Sequence, residues 1–464
     1  MQAGIAVVWG PTIAYAPRAV PALFVLASAA LAWSYRRATR SSAAAGDRAP
    51  EAPSPVVSPA GILLVALVLR LLALPLAPAL SNDVHRYAWD GRVVLAGENP
   101  YRRAPDDPAL APLRDGSGNG SWERLDHRGI ATVYPPLALG LFTLAAALPG
   151  PVLALKVLLA TADLAGCAAL LALARRLALP PERAVWYAWN PLVVIETAGM
   201  GHVDALGVAA AVAAVLWLAR RREPRSSIGA GMFAAAGVLA KLAPLLALPH
   251  WARRSGRPWV VVAVAGAILL AALAPVAISA GGIPPGLLAY GVDWEFDGPL
   301  YEPLYRTFAA IDAGEAAKNL LDRLKERTGA HDLWNRFYPW AYPRLFARLA
   351  LGLLLLGAVV RAFRDRRPVA GPGALFGTAL VASATVYPWY LLWVLPWAAL
   401  ALQPAWLLAA ATAPLAYLAS GPAAAGGAFD VFPWVWLAVW GPPAILALVS
   451  PRARRWHDDA EAEV

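Results

Sequence analysis

The sequence predicts an all-α polytopic membrane protein, a bundle of about 11–13 transmembrane helices with two large outer loops. The first observation is composition: 59% of the 464 residues are hydrophobic, 15% are charged, and mean hydropathy is +0.52. Most of such a chain cannot form a water-facing surface. The second is that apolar stretches alternate with short arginine clusters. The third is that over half of the acidic residues lie in two polar segments.

The basic clusters set the predicted topology. A net charge of +10 would suit a nucleic-acid partner, but the arginines are spread in short groups between apolar spans. That pattern is typical of cytoplasmic loops and argues against nucleic-acid binding. Twenty tryptophans fit the aromatic belts at the two membrane interfaces, and the single Cys167 excludes an internal disulfide. The clusters lie at 36–40, 175–176, 220–222, 253–257, 361–367 and 452–455.

Eleven apolar segments are long enough to be predicted as spans. A shorter pair, 228–240 and 243–250, has cationic loops on both sides, so we predict a re-entrant hairpin broken at 241–244. The predicted spans are 19–35, 60–80, 151–174, 183–200, 204–219, 258–280, 344–360, 369–386, 388–402, 404–421 and 431–450.

Three regions follow from this order. Residues 1–59 hold one or two N-terminal apolar segments and a proline-rich, disordered cytoplasmic linker at 41–59; residues 60–450 form the transmembrane domain, and 451–464 a cytoplasmic tail. The outer loops, 81–133 and 281–343, contain eight and nine of the thirty carboxylates. We expect the second loop to be a partly helical cap with charge pairs along its helices.

The stretch SNDVHRYAWDGR, at 81–92, is the densest polar group beside a span. Ser81 to Asp83 offer helix N-cap chemistry and Gly97 a stop, so we predict a short helix over 84–96. Asp83 and Asp90 would share one face with Tyr87. Asp83 could simply cap the helix, but a carboxylate at the end of a membrane span, beside apolar surface, can have its basicity tuned for chemistry.

Seven short motifs occur along the chain: NDVHRYAWDGR at 82–92, GENPY at 97–101, YPPL at 134–137, WNP at 189–191, GHVD at 201–204, KLAP at 241–244 and YPWY at 387–390. In their order and spacing they resemble the GT-C superfamily of membrane glycosyltransferases, near the bacterial polyprenol-phosphate-mannose-dependent mannosyltransferases and, more distantly, the eukaryotic GPI mannosyltransferase I. The resemblance covers roughly residues 60–400 and implies a GT-C-like catalytic bundle there.

The resemblance implies a donor sugar linked through one phosphate to a long isoprenoid, used on the extracytoplasmic side of the plasma (inner) membrane. A lipid phosphate is a competent leaving group, so one base that takes the proton of the acceptor hydroxyl suffices. We assign that role to Asp83, with Asp90 as the alternative, and expect inversion at the anomeric carbon. Mannose is the sugar that the resemblance implies, and a lipid-linked or glycan acceptor is expected.

The leaving phosphate requires positive charge or hydrogen-bond donors. Lys241, at the predicted hairpin break, is the first candidate, and Arg92, Arg102, Arg306 and Arg336 are alternatives in the outer loops. Snorkelling to the interface would also explain Lys241.

Further substrate-binding candidates are polar or aromatic residues near the outer interface. His202 and Asp204 follow a flexible glycine pair and could bind sugar hydroxyls or the phosphate. Belt anchoring alone would also explain the aromatic residues. These aromatic candidates are Tyr101, Tyr134, Trp389 and Tyr390.

The pair His202 and Asp204 also suggests a metal site, but no third ligand stands at a characteristic spacing, so we assign neither a metal nor a cofactor. A divalent cation remains an alternative. Lys156 and Asp163 lie seven residues apart on one helix face, which predicts an ion pair inside the bundle.

Two functions of other classes fit the same hydropathy. A lipid or solute transporter or flippase predicts repeated broken helices in matching halves, which the sequence lacks. A binding subunit with a decayed active site would look the same from sequence.

Overall fold

The computed structural model describes residues 24, 26–30, 32, 57–114, 120–220, 223–418 and 433–450. These residues form helices and no strand, which confirms the predicted all-α class. Most of the predicted span at 19–35, most of the linker at 41–59 and the whole tail at 451–464 lie outside the described residues.

The α-helices of five or more residues are numbered here in chain order. They are α1 (Pro59–Ala73), α2 (Asp83–Leu95), α3 (Pro136–Ala146), α4 (Pro151–Arg176), α5 (Asp204–Leu218), α6 (Arg225–Ala240), α7 (Leu248–Arg254), α8 (Pro258–Ala280), α9 (Pro285–Asp293), α10 (Tyr301–Ala310), α11 (Ala313–Thr328), α12 (His331–Asn335), α13 (Pro343–Arg364), α14 (Ala370–Val381), α15 (Leu395–Leu400), α16 (Pro404–Thr412) and α17 (Pro433–Val449).

Three of these helices, α4, α8 and α13, are long and apolar enough to cross a membrane. Six further apolar helices in the described residues are shorter. Helices of this composition indicate a membrane protein, and the total number of crossings stays a prediction.

Several predicted spans are interrupted. The segment predicted as one helix at 183–200 is a 3-10 turn, two four-residue α-turns and a π-turn, Ile195–Gly199. The segment at 388–402 is a 3-10 turn, Pro388–Trp393, followed by α15. Proline lacks a backbone N–H and disrupts a continuing helix, and four of these six pieces begin at or beside a proline, namely Pro181, Pro191, Pro388 and Pro396.

The predicted break at 241–244 is present. Helix α6 ends at Ala240, and Lys241 has extended backbone angles, φ −159° and ψ 141°. A 3-10 turn, Ala243–Ala247, then leads into α7. This break places Lys241 beside Asp204 at the start of α5. The start of α5 and the end of α6 therefore hold a buried acid and its cation side by side.

Helix α2 lies directly against α3. The α-carbon of Gly91 is so close to the backbone carbonyl of Phe142 that any side chain there would collide with it. Tyr87 stacks on the Phe142 ring at 4.4 Å. These contacts fix the direction of α2 and therefore the place of Asp83 at its first residue. Helix α3 has a buried face that includes Phe142 and an exposed face that includes Leu144.

A polar network crosses the core between α1 and α4. Arg70 donates to Asp163 Oδ2 from Nε at 2.9 Å and from Nη2 at 2.7 Å, and its other amine donates to the carbonyls of Ala66 and Ala188. Tyr187 donates to the second carboxylate oxygen at 2.8 Å. The predicted pairing of Lys156 with Asp163 is therefore wrong. Lys156 instead donates to the carbonyls of Leu74 and Leu76, beyond the end of α1.

The second outer loop is partly helical, as predicted, and contains α9 to α12. Charge pairs along its helices include Arg306 with Glu302 and Lys318 with Glu315. The loop is tied to the bundle at Phe296, whose backbone N–H donates to Ala384 and whose carbonyl accepts from Val386. This tether sets the loop beside the 384–390 segment.

Candidate active site

Asp83 begins α2, where its backbone N–H donates to Ser81 Oγ. Its carboxylate accepts a long hydrogen bond from the Tyr87 hydroxyl, 3.4 Å. The same oxygen, Oδ2, lies 3.7 Å from Nδ1 of His202. Residues from α2 and from the turn before α5 therefore meet at this carboxylate.

The Asp83 side chain is 37% exposed, although burial raises the pKa of its carboxyl group above the usual range. The side chain is thus surrounded by protein on several sides while part of its surface stays accessible. His202 and Lys241 act in the opposite sense and lower that pKa. A carboxylate that is desolvated yet partly exposed suits a general base.

Asp204 and Lys241 form a second part of the site. Nζ of Lys241 donates to both oxygens of the buried Asp204, at 2.8 and 2.7 Å, and Trp393 Nε1 donates to Oδ1 at 2.6 Å. The ammonium also lies 4.4 Å from the centre of the Tyr390 ring. The pairing with Asp204 holds the Lys241 ammonium in place, and because the side chain is 24% exposed, it remains accessible to a ligand.

His202 lies between two carboxylates. Its Nε2 is 3.2 Å from Oε2 of Glu196, opposite the nitrogen that faces Asp83. Glu196 belongs to the π-turn and is fully buried, and its other oxygen accepts from the Tyr417 hydroxyl at 2.6 Å. π-turns are rare and occur often at functional sites.

Aromatic rings form a continuous wall from His202 to the outer loop. Trp389 stacks on the imidazole at 3.9 Å, Tyr387 stacks on Trp389 at 4.6 Å, and Phe296 stacks on Tyr387 at 4.6 Å. The hydroxyls of Tyr390 and Tyr290 hydrogen-bond to each other. Such a wall offers flat apolar faces beside the charged groups, which suits a sugar ring.

Tyr134 reaches the site and Tyr101 supports it. Tyr134 meets Tyr87 edge-on, with ring centres 4.9 Å apart. Burial raises the pKa of the Tyr134 hydroxyl, and the nearby Asp83 charge raises it further. Tyr101 is buried, and its hydroxyl donates to the backbone carbonyl of Tyr134 at 2.9 Å. Tyr101 is therefore placed to orient Tyr134.

Asp90 does not join Asp83. It lies seven residues along α2, about 10 Å at the usual helical rise. Arg86 donates to one of its oxygens at 2.9 Å and Thr132 to the other at 2.6 Å, and the residue is 2% exposed. Asp90 thus anchors the first outer loop to α2, and its geometry does not support the alternative role as base.

The four loop arginines named as alternative phosphate ligands are exposed. Arg92 lies in the last turn of α2, away from its Asp83 end. Arg306 pairs with Glu302 on the outer cap. Of the five candidate cations, Lys241 is the one that forms an ion pair with Asp204. Its charge also lowers the pKa of Asp83.

Sequence reasoning missed several neighbours of the site. Tyr387 was part of a motif but had no assigned role. Glu196, inside the predicted span 183–200, was ambiguous between a structural pair and chemistry and had no assigned role, although an acid in a membrane span is itself a signal of function. Trp393, Tyr290 and Tyr417 gave no local signal, because their partners are more than 90 residues away.

The described residues contain no group of three or more His, Cys, Asp or Glu side chains arranged to hold a metal ion. His202 and Asp204, the pair that suggested a metal, point to different partners.

Comparison with known protein families assigns the chain to a family. The family model described as Alpha-(1->6)-mannopyranosyltransferase, N-terminal domain, matches residues 4–255, more than half of the chain. That range includes Asp83, Glu196, His202, Asp204 and Lys241. No curated protein and no solved structure matches the chain.

Proposed function

The chain belongs to the alpha-(1->6)-mannopyranosyltransferase family, and from this premise we propose that it transfers mannose from a polyprenyl-phosphate donor to a lipid-linked or glycan acceptor. The reaction inverts the anomeric carbon, and Asp83 is the general base. The family supports mannosyl transfer, and the donor, the acceptor and the mechanism are our proposal.

The observation that carries the proposal is the position of Asp83, which is partly exposed at the start of α2 and lies 3.7 Å from His202. The acceptor hydroxyl binds at this carboxylate and gives up its proton as its oxygen attacks the anomeric carbon. The bond from that carbon to the phosphate oxygen breaks on the opposite side, and the phosphate leaves with the electron pair. Because the leaving phosphate is stable as an anion, a second carboxylic acid is unnecessary.

Lys241 is the proposed contact for the phosphate. Its pairing with Asp204 and its place over Tyr390 hold the ammonium in one orientation before the donor binds. A preorganised cation stabilises the charge that grows on the phosphate in the transition state. The faces of Trp389 and Tyr390 border the same charges and are proposed to pack against the sugar.

We place the reaction at the outer face of the plasma (inner) membrane, among membrane lipids and without a nucleic-acid partner. Two facts support this side: arginine clusters are at the opposite ends of the predicted spans, and the site adjoins both acidic outer loops. No observation on the described residues favours a transporter or flippase.

The test is mannosyl transfer by the purified protein in lipid nanodiscs. The donor is radiolabelled polyprenyl-phosphate mannose. The acceptor probe is an octyl glycoside of two mannose units joined by one α-(1->6) linkage. The corresponding glucose and arabinose donors and a nucleotide-linked mannose complete the donor panel. We expect transfer from polyprenyl-phosphate mannose alone, and a loss of at least about a hundredfold in Asp83→Asn.

Asp312→Asn is the matched control. It makes the same chemical change in the second outer loop, on an exposed residue with φ 48°, a conformation that asparagine tolerates. We expect wild-type transfer. Equal turnover in Asp83→Asn and wild type would remove Asp83 from its role, and transfer from the nucleotide donor alone would overturn the proposed donor.

A further inference from the structure

His202 is enclosed between two carboxylates of different exposure. Asp83, on one side, is partly exposed, whereas Glu196, on the other, is fully buried. Neither ring nitrogen of His202 has a well-aligned hydrogen-bond partner, and neither does Oε2 of Glu196. Buried polar atoms are almost always paired in folded proteins, so this cluster needs a charge state that pairs them.

The surrounding charges indicate which state that is. Lys241 is engaged by Asp204, and the Lys156 ammonium, whose stem packs beside Gly201, donates to two backbone carbonyls. Neither of these cations is paired with Asp83 or Glu196. A proton on each ring nitrogen makes His202 the cation between the two carboxylates, with one N–H directed at each.

Two neighbours restrain His202 and Glu196 in this geometry. The Tyr417 hydroxyl donates a hydrogen bond to Oε1 of Glu196, which leaves Oε2 for the imidazole. Trp389 stacks on the ring at 3.9 Å with an angle of 13° between the planes, and an indole face attracts a cation. The ring is therefore restrained from both its edge and its face.

We propose that Glu196 is a positioning residue of this site: it holds His202 as an imidazolium, and the imidazolium keeps the Asp83 carboxylate ionised and oriented toward the acceptor. The proposal rests on the proposed function, because Asp83 is the base there. It adds a residue buried in a π-turn that contacts no substrate and acts only through His202.

Charge and proton balance follow directly. In the transfer step the acceptor proton moves to Asp83, and the donor phosphate takes the electron pair of the bond that breaks. His202 keeps both of its protons throughout, so it is not a second base. Its positive charge stabilises the ionised Asp83 carboxylate before the step.

The first test is the pH dependence of kcat/KM, which reports the ionisation of the free enzyme. In wild type we expect activity to fall as pH decreases through the pKa of Asp83, because the base must be ionised. In Glu196→Gln the imidazolium loses its partner and becomes neutral, so Asp83 loses a nearby cation. The acid limb is the part of the pH profile in which activity falls as the pH decreases. We then expect this limb to move to higher pH by about one unit or more, since an opposite charge within 4–6 Å lowers the pKa of a carboxyl group by that much.

Two variants separate charge from shape. Glu196→Asp keeps the carboxylate, and we expect its acid limb to stay at the wild-type pH with partial activity. Tyr417→Phe removes a hydrogen bond to Glu196 but no charge, and we expect the limb to stay in place as well. A Glu196→Gln enzyme with the wild-type limb would overturn the proposal. So would Glu196→Gln and Glu196→Asp losing activity equally at every pH, because that result means a purely structural role.

The second test does not depend on turnover. Solid-state NMR of the full chain with ¹⁵N-labelled histidine distinguishes an imidazolium from a neutral ring, and His202→Gln identifies the signal among the six histidines. At pH 7.5 we expect an imidazolium in wild type and a neutral ring in Glu196→Gln. A neutral His202 in wild type would overturn the proposal. An imidazolium in a protein that transfers no sugar would instead contradict the proposed function alone.

Discussion

Among single residues, Lys241 combines a structural and a proposed chemical role. It neutralises Asp204, which has no exposed surface, and it remains partly exposed itself. Removing the lysine alone therefore leaves a buried carboxylate without its cation, which destabilises the fold whatever the lysine does for the donor. Loss of activity in one variant cannot distinguish these roles, whereas a pair of variants can.

For Lys241→Met we expect the free energy of unfolding to fall by about 3 kcal/mol and the KM for the polyprenyl donor to rise at least about tenfold. Thermal unfolding followed by tryptophan fluorescence and a donor titration measure the two effects. In Lys241→Met with Asp204→Asn, the amide oxygen still accepts from Trp393 and no charge is buried, so stability should largely recover. The transfer defect should remain. Wild-type transfer by the double variant would show that Lys241 acts only in folding.

At the scale of elements, the site depends on how α2 is seated. The sequence predicted a helix over 84–96 from its capping residues, and the observed helix is Asp83–Leu95, followed by Gly97 at φ 79°. The crossing of α2 with α3 was not predictable. Gly91 looked like an ordinary residue in a polar helix, yet its missing side chain is what lets the Phe142 backbone approach.

Gly91→Ala should therefore disturb the position of Asp83. The added methyl group collides with backbone rather than with a flexible side chain, so α2 and α3 must separate, and we expect a loss of about 1–3 kcal/mol in stability. Transfer should fall more steeply than stability, because a base displaced by 1 Å loses its reaction geometry.

Gly140→Ala on α3 is the control for the same pair of helices. Nothing lies within 4 Å of its added methyl group, so helix propensity should leave stability unchanged or raise it by up to about 1 kcal/mol. Thermal unfolding and the transfer assay measure both variants side by side. Normal transfer in a folded Gly91→Ala protein would contradict the link between this crossing and the site.

Across the whole molecule, the Arg70–Asp163 network joins three segments of the bundle. It connects α1 to α4, and through Tyr187 and Thr197 it reaches the irregular segment that carries Glu196. All of its charges are buried, with Arg70 at 1% and Asp163 at 0% exposure. An irregular backbone inside a bundle persists only where such contacts hold it.

Asp163→Leu should reduce the free energy of unfolding by about 3–5 kcal/mol, because it leaves the Arg70 guanidinium buried without its counter-charge. The matched variant changes Arg70 to Met, Asp163 to Leu and Tyr187 to Phe together, and it should recover most of that loss because no unpaired charge remains. Thermal unfolding in the same detergent compares them. A single variant as stable as wild type would show that the network contributes little to the fold.

The sequence by itself determined the all-α class, the start of α2 to within one residue, the break at Lys241 and the motifs that belong to one family, because capping residues, prolines and apolar periodicity act over a few residues. Only the tertiary structure decided which charges meet. Asp163 binds Arg70, 93 residues away, rather than Lys156 on its own helix, and Glu196 binds Tyr417 across 221 residues. Asp90 shares a helix with Asp83 but is held by the outer loop. Helical spacing predicts neighbours on one element, whereas partners between elements depend on crossing geometry, which close contacts such as Gly91 on Phe142 determine.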